Sequence, residues 1–220
     1  MPGKTTLWLD TSTQDTNIAL VREDRILALR CAEANALAFL FDELASMLLE
    51  TGIRFPDIQS LHYICGPGSS LGLRIACMAI STWKTAYPGL RLQAAHTLPA
   101  YAALHGLCPD APPAFTLLAQ HRKDTWYQVA HEKGNISTMN TLNDDEVSKL
   151  EGNLYHLPQR KFATSPPTSS QPLSPYLPAL TEILQIPGLF QTVEKPTVFP
   201  EIVPTFKKWV PQRHSKAASC

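Results

Sequence analysis

The first hundred residues switch between two periodicities. An apolar run, Leu7-Trp8-Leu9, lies within a strand pattern from Thr5 to Thr13 and leads into the hydroxyl-rich turn Asp10-Thr11-Ser12-Thr13. Apolar runs at Asn17 to Val21 and Arg25 to Cys31 follow on short connections, so the three predict an antiparallel meander. From Ala34 to Thr51 the spacing becomes helical. Leu37, Phe41, Leu44 and Leu48 recur on one broad stripe with Leu40 and Met47 beside them, and Gly52 supplies the stop. A strand over Leu61 to Cys65 then runs into Gly66-Pro67-Gly68-Ser69-Ser70. It is followed by a helix over Leu71 to Tyr87, a strand over Leu90 to Ala94 and a helix from His96-Thr97 to Leu107. The predicted order is β-β-β-α-β-α-β-α.

The second half reads differently. Ala114 to Ala119 and Trp126 to His131 predict two strands joined by a polar loop. Of the 19 prolines, 14 lie after residue 101, and Ser165 to Pro178 is too rich in them for a regular helix or a central strand. That segment is expected to be an irregular crossing on the surface, with a strand over Thr197 to Val203 closing a smaller, degenerate lobe. The expected organisation is therefore an actin-like lobe over 1–108 and a degenerate lobe over 109–220, with the Pro-rich segment at 165–178.

Composition narrows the function classes. The 220 residues are 44% hydrophobic and 17% charged, enough for a sizeable core, and the net charge of zero argues against a strongly electrostatic nucleic-acid binder acting alone. No apolar run approaches the roughly 20 residues that span a bilayer, and Met1 to Thr6 leads straight into a strand pattern, so a cytoplasmic location is expected. Cys31, Cys65, Cys77, Cys108 and Cys220 are scattered without a C-x-x-C pair, which suits buried thiols in a reducing compartment. Lys207, Lys208, Arg213 and Lys216 form a basic tail, read as a solvated end or as an RNA contact.

Candidate chemistry concentrates in two places. Asp10 ends the first strand before a run of hydroxyls, where it either serves a phosphate or metal or closes an Asx-turn on its own backbone. Gly66 and Gly68 permit a tight turn, and Ser69 or Ser70 can cap the next helix, whose free N–H groups suit an anion; an ordinary strand-to-helix connection has the same shape. Contacts to a nucleotide or other anion would then come from Asp10, Thr11, Ser12, Gly66, Gly68, Ser69 and Arg74. Gly72, Ala76 and Ala79 stand at i, i+4 and i+7 with Trp83 one turn on. This small-residue stripe fits either a close partner helix or the protein's own sheet. If it meets a partner, Ala79→Phe should weaken that contact and leave the fold standing. His96 and His105 are nine residues apart on one helix, and His121, His131 and His156 lack companions at ligand spacing, so no metal site is expected. No G-x-x-x-x-G-K-[ST] run and no G-x-S-x-G frame occurs.

The element order is that of the actin, hexokinase and Hsp70 (ribonuclease H-like) superfamily. Within it, Leu9-Asp10-Thr11-Ser12-Thr13 and Gly66-Pro67-Gly68-Ser69-Ser70-Leu71-Gly72-Leu73-Arg74-Ile75 resemble the two signature segments of the TsaB (YeaZ) family, Asp-Thr-Ser/Ala-Thr and Gly-Pro-Gly-Ser-Phe-Thr-Gly-Leu/Val-Arg. Ala119 to Tyr127 is similar to a third family segment through Arg122 and Tyr127, while Gln120 and Asp124 depart from it. Pro200 to Lys207 is similar to the family's close. Ser70, Leu71 and Ala76 replace the family's Phe, Thr and Gly, and Ala36 and Leu37 replace its His and small hydroxyl residue.

The resemblance implies a protein without catalytic residues that binds TsaD as a heterodimer. With TsaD and the ATPase TsaE, such a protein serves threonylcarbamoyladenosine biosynthesis, a tRNA modification, and meets tRNA only through the complex. It implies no cofactor of the chain's own, with ATP or ADP at most near the partner interface. The interface would come from the two first-lobe helices, here through Leu37, Phe41, Leu44, Leu48, Gly72, Ala76, Ala79 and Trp83. Two alternatives stand beside it: a superfamily enzyme, either an ATP-dependent small-molecule kinase using Asp10 or a metallopeptidase-like protein, and a homodimeric module using the same helices.

Overall fold

A computed structural model describes residues 3–33, 36–158 and 165–199. Strands β1 (Thr5–Asp10), β2 (Thr16–Arg22) and β3 (Arg25–Ala32) form the antiparallel meander, and helix α1 (Ala36–Thr51) follows. Then come β4 (Ile58–Gly66), α2 (Ser70–Ala86), β5 (Arg91–His96) and α3 (Thr97–Gly106). β4 lies parallel to both β1 and β5, so the first lobe repeats the expected β-β-β-α-β-α-β-α order.

Alternation along the strands builds two cores. Leu7 and Leu9 of β1, with Ile18 and Leu20 of β2, face α1 and α2 and meet Leu40, Leu44, Met47, Ala76, Ala79 and Ile80. Trp8, Ala19 and Val21 point the other way and pack on Ala100, Ala103 and Leu104 of α3. The opposite side of α3 presents Leu98, Tyr101 and Ala102 to a third core with Phe115, Leu117 and Val129 of the second sheet. A helix buried on every side carries apolar residues all round, which is why α3 has no polar face. Outside the cores, Arg30 of β3 pairs with Glu43 and Glu50 of α1 at 3.1 and 2.5 Å, tying that helix to the sheet edge.

The second sheet centres on the hairpin of β6 (Ala114–Arg122) and β7 (Thr125–Glu132). Short strands β8 (Asn135–Ile136) and β9 (Asn140–Asn143) pair with β7. The one-turn helix α4 (Asp144–Val147) leads to β10 (Leu154–His156), which lies parallel to β6, and β11 (Ser170–Pro172) forms the outer edge. Between 165 and 178 the proline-rich crossing is tacked down by Leu173 in the third core and Leu177 in the second.

From there the chain returns to the first lobe. The short helix α5 (Leu180–Ile183) buries Leu180 and Ile183 in the second core, and β12 (Gln191–Val193) pairs antiparallel with β5. A lobe boundary at 108/109 therefore does not hold for residues 177–193, which complete the first lobe from the far end of the sequence. Nor do 197–199 form the expected closing strand; β12 takes an edge place six residues or so earlier, and 200–203 lie outside the described residues, as does the basic tail.

Candidate functional site

Asp10 stands at the carboxyl end of β1, where the sheet meets the second lobe, and is wholly buried. Its Oδ1 accepts hydrogen bonds from the Ser12 amide (2.8 Å) and the Ser12 hydroxyl (2.6 Å), closing the Asx-turn. Its Oδ2 accepts from the Tyr101 hydroxyl at 2.7 Å. Burial raises the carboxyl pKa, the Ser12 and Tyr101 bonds oppose that rise, and the nearby negative charge of Asp15 adds to it. Both carboxylate oxygens are thus engaged by the chain itself. Thr11, Ser12 and Thr13 are buried too, and Asn17, opposite Asp10 on β2, has a fully buried side-chain amide with no protein partner.

The glycine loop packs directly on this turn. The Ser69 amide donates to the Ser12 carbonyl at 2.6 Å, and the Ser69 hydroxyl caps α2 by accepting from the Gly72 amide at 3.3 Å. The Leu73 amide is taken by the Ser69 carbonyl at 2.9 Å. A Cβ on Gly68 would overlap the Ser12 carbonyl, and one on Gly72 would overlap the Thr11 carbonyl. Gly66, at φ 115°, lies under the Phe199 carbonyl, which a Cβ there would also strike. Each glycine of the motif therefore makes room for a carbonyl of the same chain. The structure brings Asp10, Thr11 and Ser12 against Gly66, Gly68 and Ser69 in a packed joint. Arg74 is exposed on α2, outside this joint. Among the described residues no group of three or more His, Cys, Asp or Glu side chains is placed to hold a metal ion.

The helical surfaces need a correction. Leu44, Ala76, Ala79 and Trp83 all lie in the first core, at most 9% exposed, and Gly72 faces Thr11. The small-residue stripe is what lets α2 lie close on its own sheet, so these residues are not available as a partner surface. Leu48 is half-buried, and the Leu37 side chain lies outside what is described. Phe41 stays 42% exposed, with its ring edge on Trp83 at 5.9 Å. What the outer face of the α1–α2 layer does expose is Leu49, Leu71 and Met78, at 85%, 71% and 72%. Leu71 and Met78, seven residues apart, share one face of α2 opposite the small-residue stripe, and that spacing was the signal that could have found them.

No family model matches the chain, and no curated protein does. Solved structures do. One is a Pseudomonas aeruginosa protein described as uncharacterised with similarity to peptidase YeaZ: 20% identity over 87% of this chain and 95% of that one, TM-score 0.63. Another is YeaZ from Pseudomonas aeruginosa, at 20% identity over 89% of this chain and 98% of the other, TM-score 0.66. The match runs through both lobes of the chain, and the protein has the fold of YeaZ.

Proposed function

We propose that this protein is a divergent TsaB-type scaffold: a subunit without catalytic residues of its own that binds a TsaD partner and supports tRNA threonylcarbamoyladenosine formation. The observation that carries the reading is the joint between Asp10-Thr11-Ser12 and Gly66 to Gly72. In it, the residues that would serve a phosphate in an enzyme of this fold are consumed in internal packing. A kinase reading needs Asp10 open to a substrate, and here both its oxygens already accept hydrogen bonds from Ser12 and Tyr101.

The docking surface on this reading is the outer face of α1 and α2, through Phe41, Leu49, Leu71 and Met78. Large exposed apolar side chains on adjacent helices suit a helix-bundle interface, where aromatic and methionine side chains are favoured. Ser70 and Leu71, which depart from the family pattern, lie at the exposed start of α2, so the partner's surface would have changed with them. Ala76, the third departure on that helix, is a core residue and leaves the interface untouched.

The test is co-purification with TsaD from the same organism. Wild-type protein should recover TsaD, and the double variant Leu71→Asp/Met78→Asp should lose at least about tenfold in affinity while its own stability moves by no more than about 0.5 kcal/mol. Failure of the wild type to recover TsaD, with a stable homodimer in sizing, would establish the homodimeric module instead. TsaE, nucleotide and tRNA enter only through the assembled complex, so reconstituted modification that does not depend on this chain would also overturn the assignment.

A further inference from the structure

The segment 197–199 crosses the carboxyl ends of β4 and β5, the side of a parallel sheet on which open α/β folds place their ligands. Three kinds of contact hold it there. The Thr197 amide donates to the Tyr63 hydroxyl at 2.9 Å. The Phe199 amide donates to the Cys65 carbonyl at 2.6 Å. The Phe199 ring stands between the lobes, 4.6 Å from the His96 ring of the first and 5.7 Å from the Tyr127 ring of the second. It thereby touches both the first and the third core.

We propose that Thr197–Phe199 is a releasable strap: an intramolecular plug that covers the crevice between the lobes and fixes the angle between them, and whose withdrawal opens both. Its anchorage is slight compared with what it covers. Thr197 is exposed and its neighbours are only half-buried, whereas Tyr63, Cys65 and Gly66 beneath are buried. A segment held by two amide hydrogen bonds, a long bond of 3.5 Å from the Tyr63 hydroxyl to the Thr197 carbonyl and one half-buried ring belongs to the low-stability end of a fold, able to open without global unfolding. Gly66 fits this role, because a residue with a Cβ there would push the Phe199 carbonyl off the sheet end. The inference stands apart from the scaffold assignment, since it concerns the crevice and not the outer face of α1 and α2.

Cys65 is a built-in reporter. Its thiol is buried 3.5 Å from His96 Nδ1, and burial pushes its pKa up to about 11, so withdrawal of the strap would both expose it and favour the thiolate. The experiment is labelling of the full-length protein with N-ethylmaleimide, resolved cysteine by cysteine by peptide mass spectrometry. Phe199→Ala should speed modification of Cys65 by about tenfold or more and leave Cys108 unchanged. Tyr63→Phe, which removes only the hydroxyl that Thr197 binds, should shift Cys65 in the same direction by a smaller factor. An unchanged Cys65 rate in both variants would overturn the strap. So would equal acceleration of Cys65 and Cys108 in both, because Phe199 would then be an ordinary core residue whose loss loosens the whole fold.

Discussion

Asp10 does its work as an anchor. Its Asx-turn was readable in the order Asp-x-Ser, because a carboxylate two residues before a serine can reach that residue's amide and hydroxyl. Tyr101 was not readable, since it lies 91 residues away and reaches Asp10 only because α3 crosses the end of β1. Tyr101→Phe removes that donor and leaves a buried carboxylate oxygen unpaired, which should cost about 1–3 kcal/mol in denaturant unfolding. An unchanged midpoint would mean that Asp10 Oδ2 does not depend on the phenol.

His62 supplies a second residue-scale prediction. It is buried on β4, its ring edge meets Phe190 at 4.9 Å, and its Nδ1 has no protein partner. Burial, with the positive charges of Lys4 and Arg91, lowers its pKa from 6.5 to about 4. The folded state thus resists protonation that the unfolded chain accepts. This contribution to stability is complete above the unfolded pKa of 6.5, falls as the pH drops toward 4, and is flat below. The total fall is about 3 kcal/mol, and His62→Gln should remove that part of the acid sensitivity in unfolding measured from pH 7 to pH 4.

At the scale of elements, periodicity located α1, α2 and α3 to within about two residues, the usual latitude of helix ends. It could not say which side of α2 meets the sheet. The stripe of Gly72, Ala76 and Ala79 is suited to any close neighbour, and the sheet of the same chain, at the Thr11 carbonyl, is the neighbour it has. Ala79→Phe should therefore overpack the first core and destabilise the protein itself by about 1–3 kcal/mol. A variant that kept full stability and lost only partner binding would return the stripe to the surface. The glycine loop follows the same logic: its composition is right for close approach, and the approaching groups are the carbonyls of Thr11, Ser12 and Phe199.

At the scale of the whole molecule, the two lobes share material. α3 contributes to the cores on both of its sides, and the chain after Tyr176 returns to complete the first sheet. Because α3 is built into the second core on one side and the third core on the other, the two lobes are coupled through it, and calorimetric unfolding should show one cooperative transition. Two resolved transitions would mean that the lobes fold independently despite α3.

What the sequence by itself determined is what repeats locally: the alternation that makes strands, the helical stripes, the turn chemistry at Asp10 and the small residues after Gly66. Those patterns were enough for the fold class and for the resemblance to the TsaB family. The tertiary structure decided which groups meet across long separations. It placed Tyr101 on Asp10, Phe199 over Gly66 and β12 beside β5, and it turned the small-residue stripe inward. The reason is that periodicity states how wide an apolar face is, while only the packed chain states what covers it.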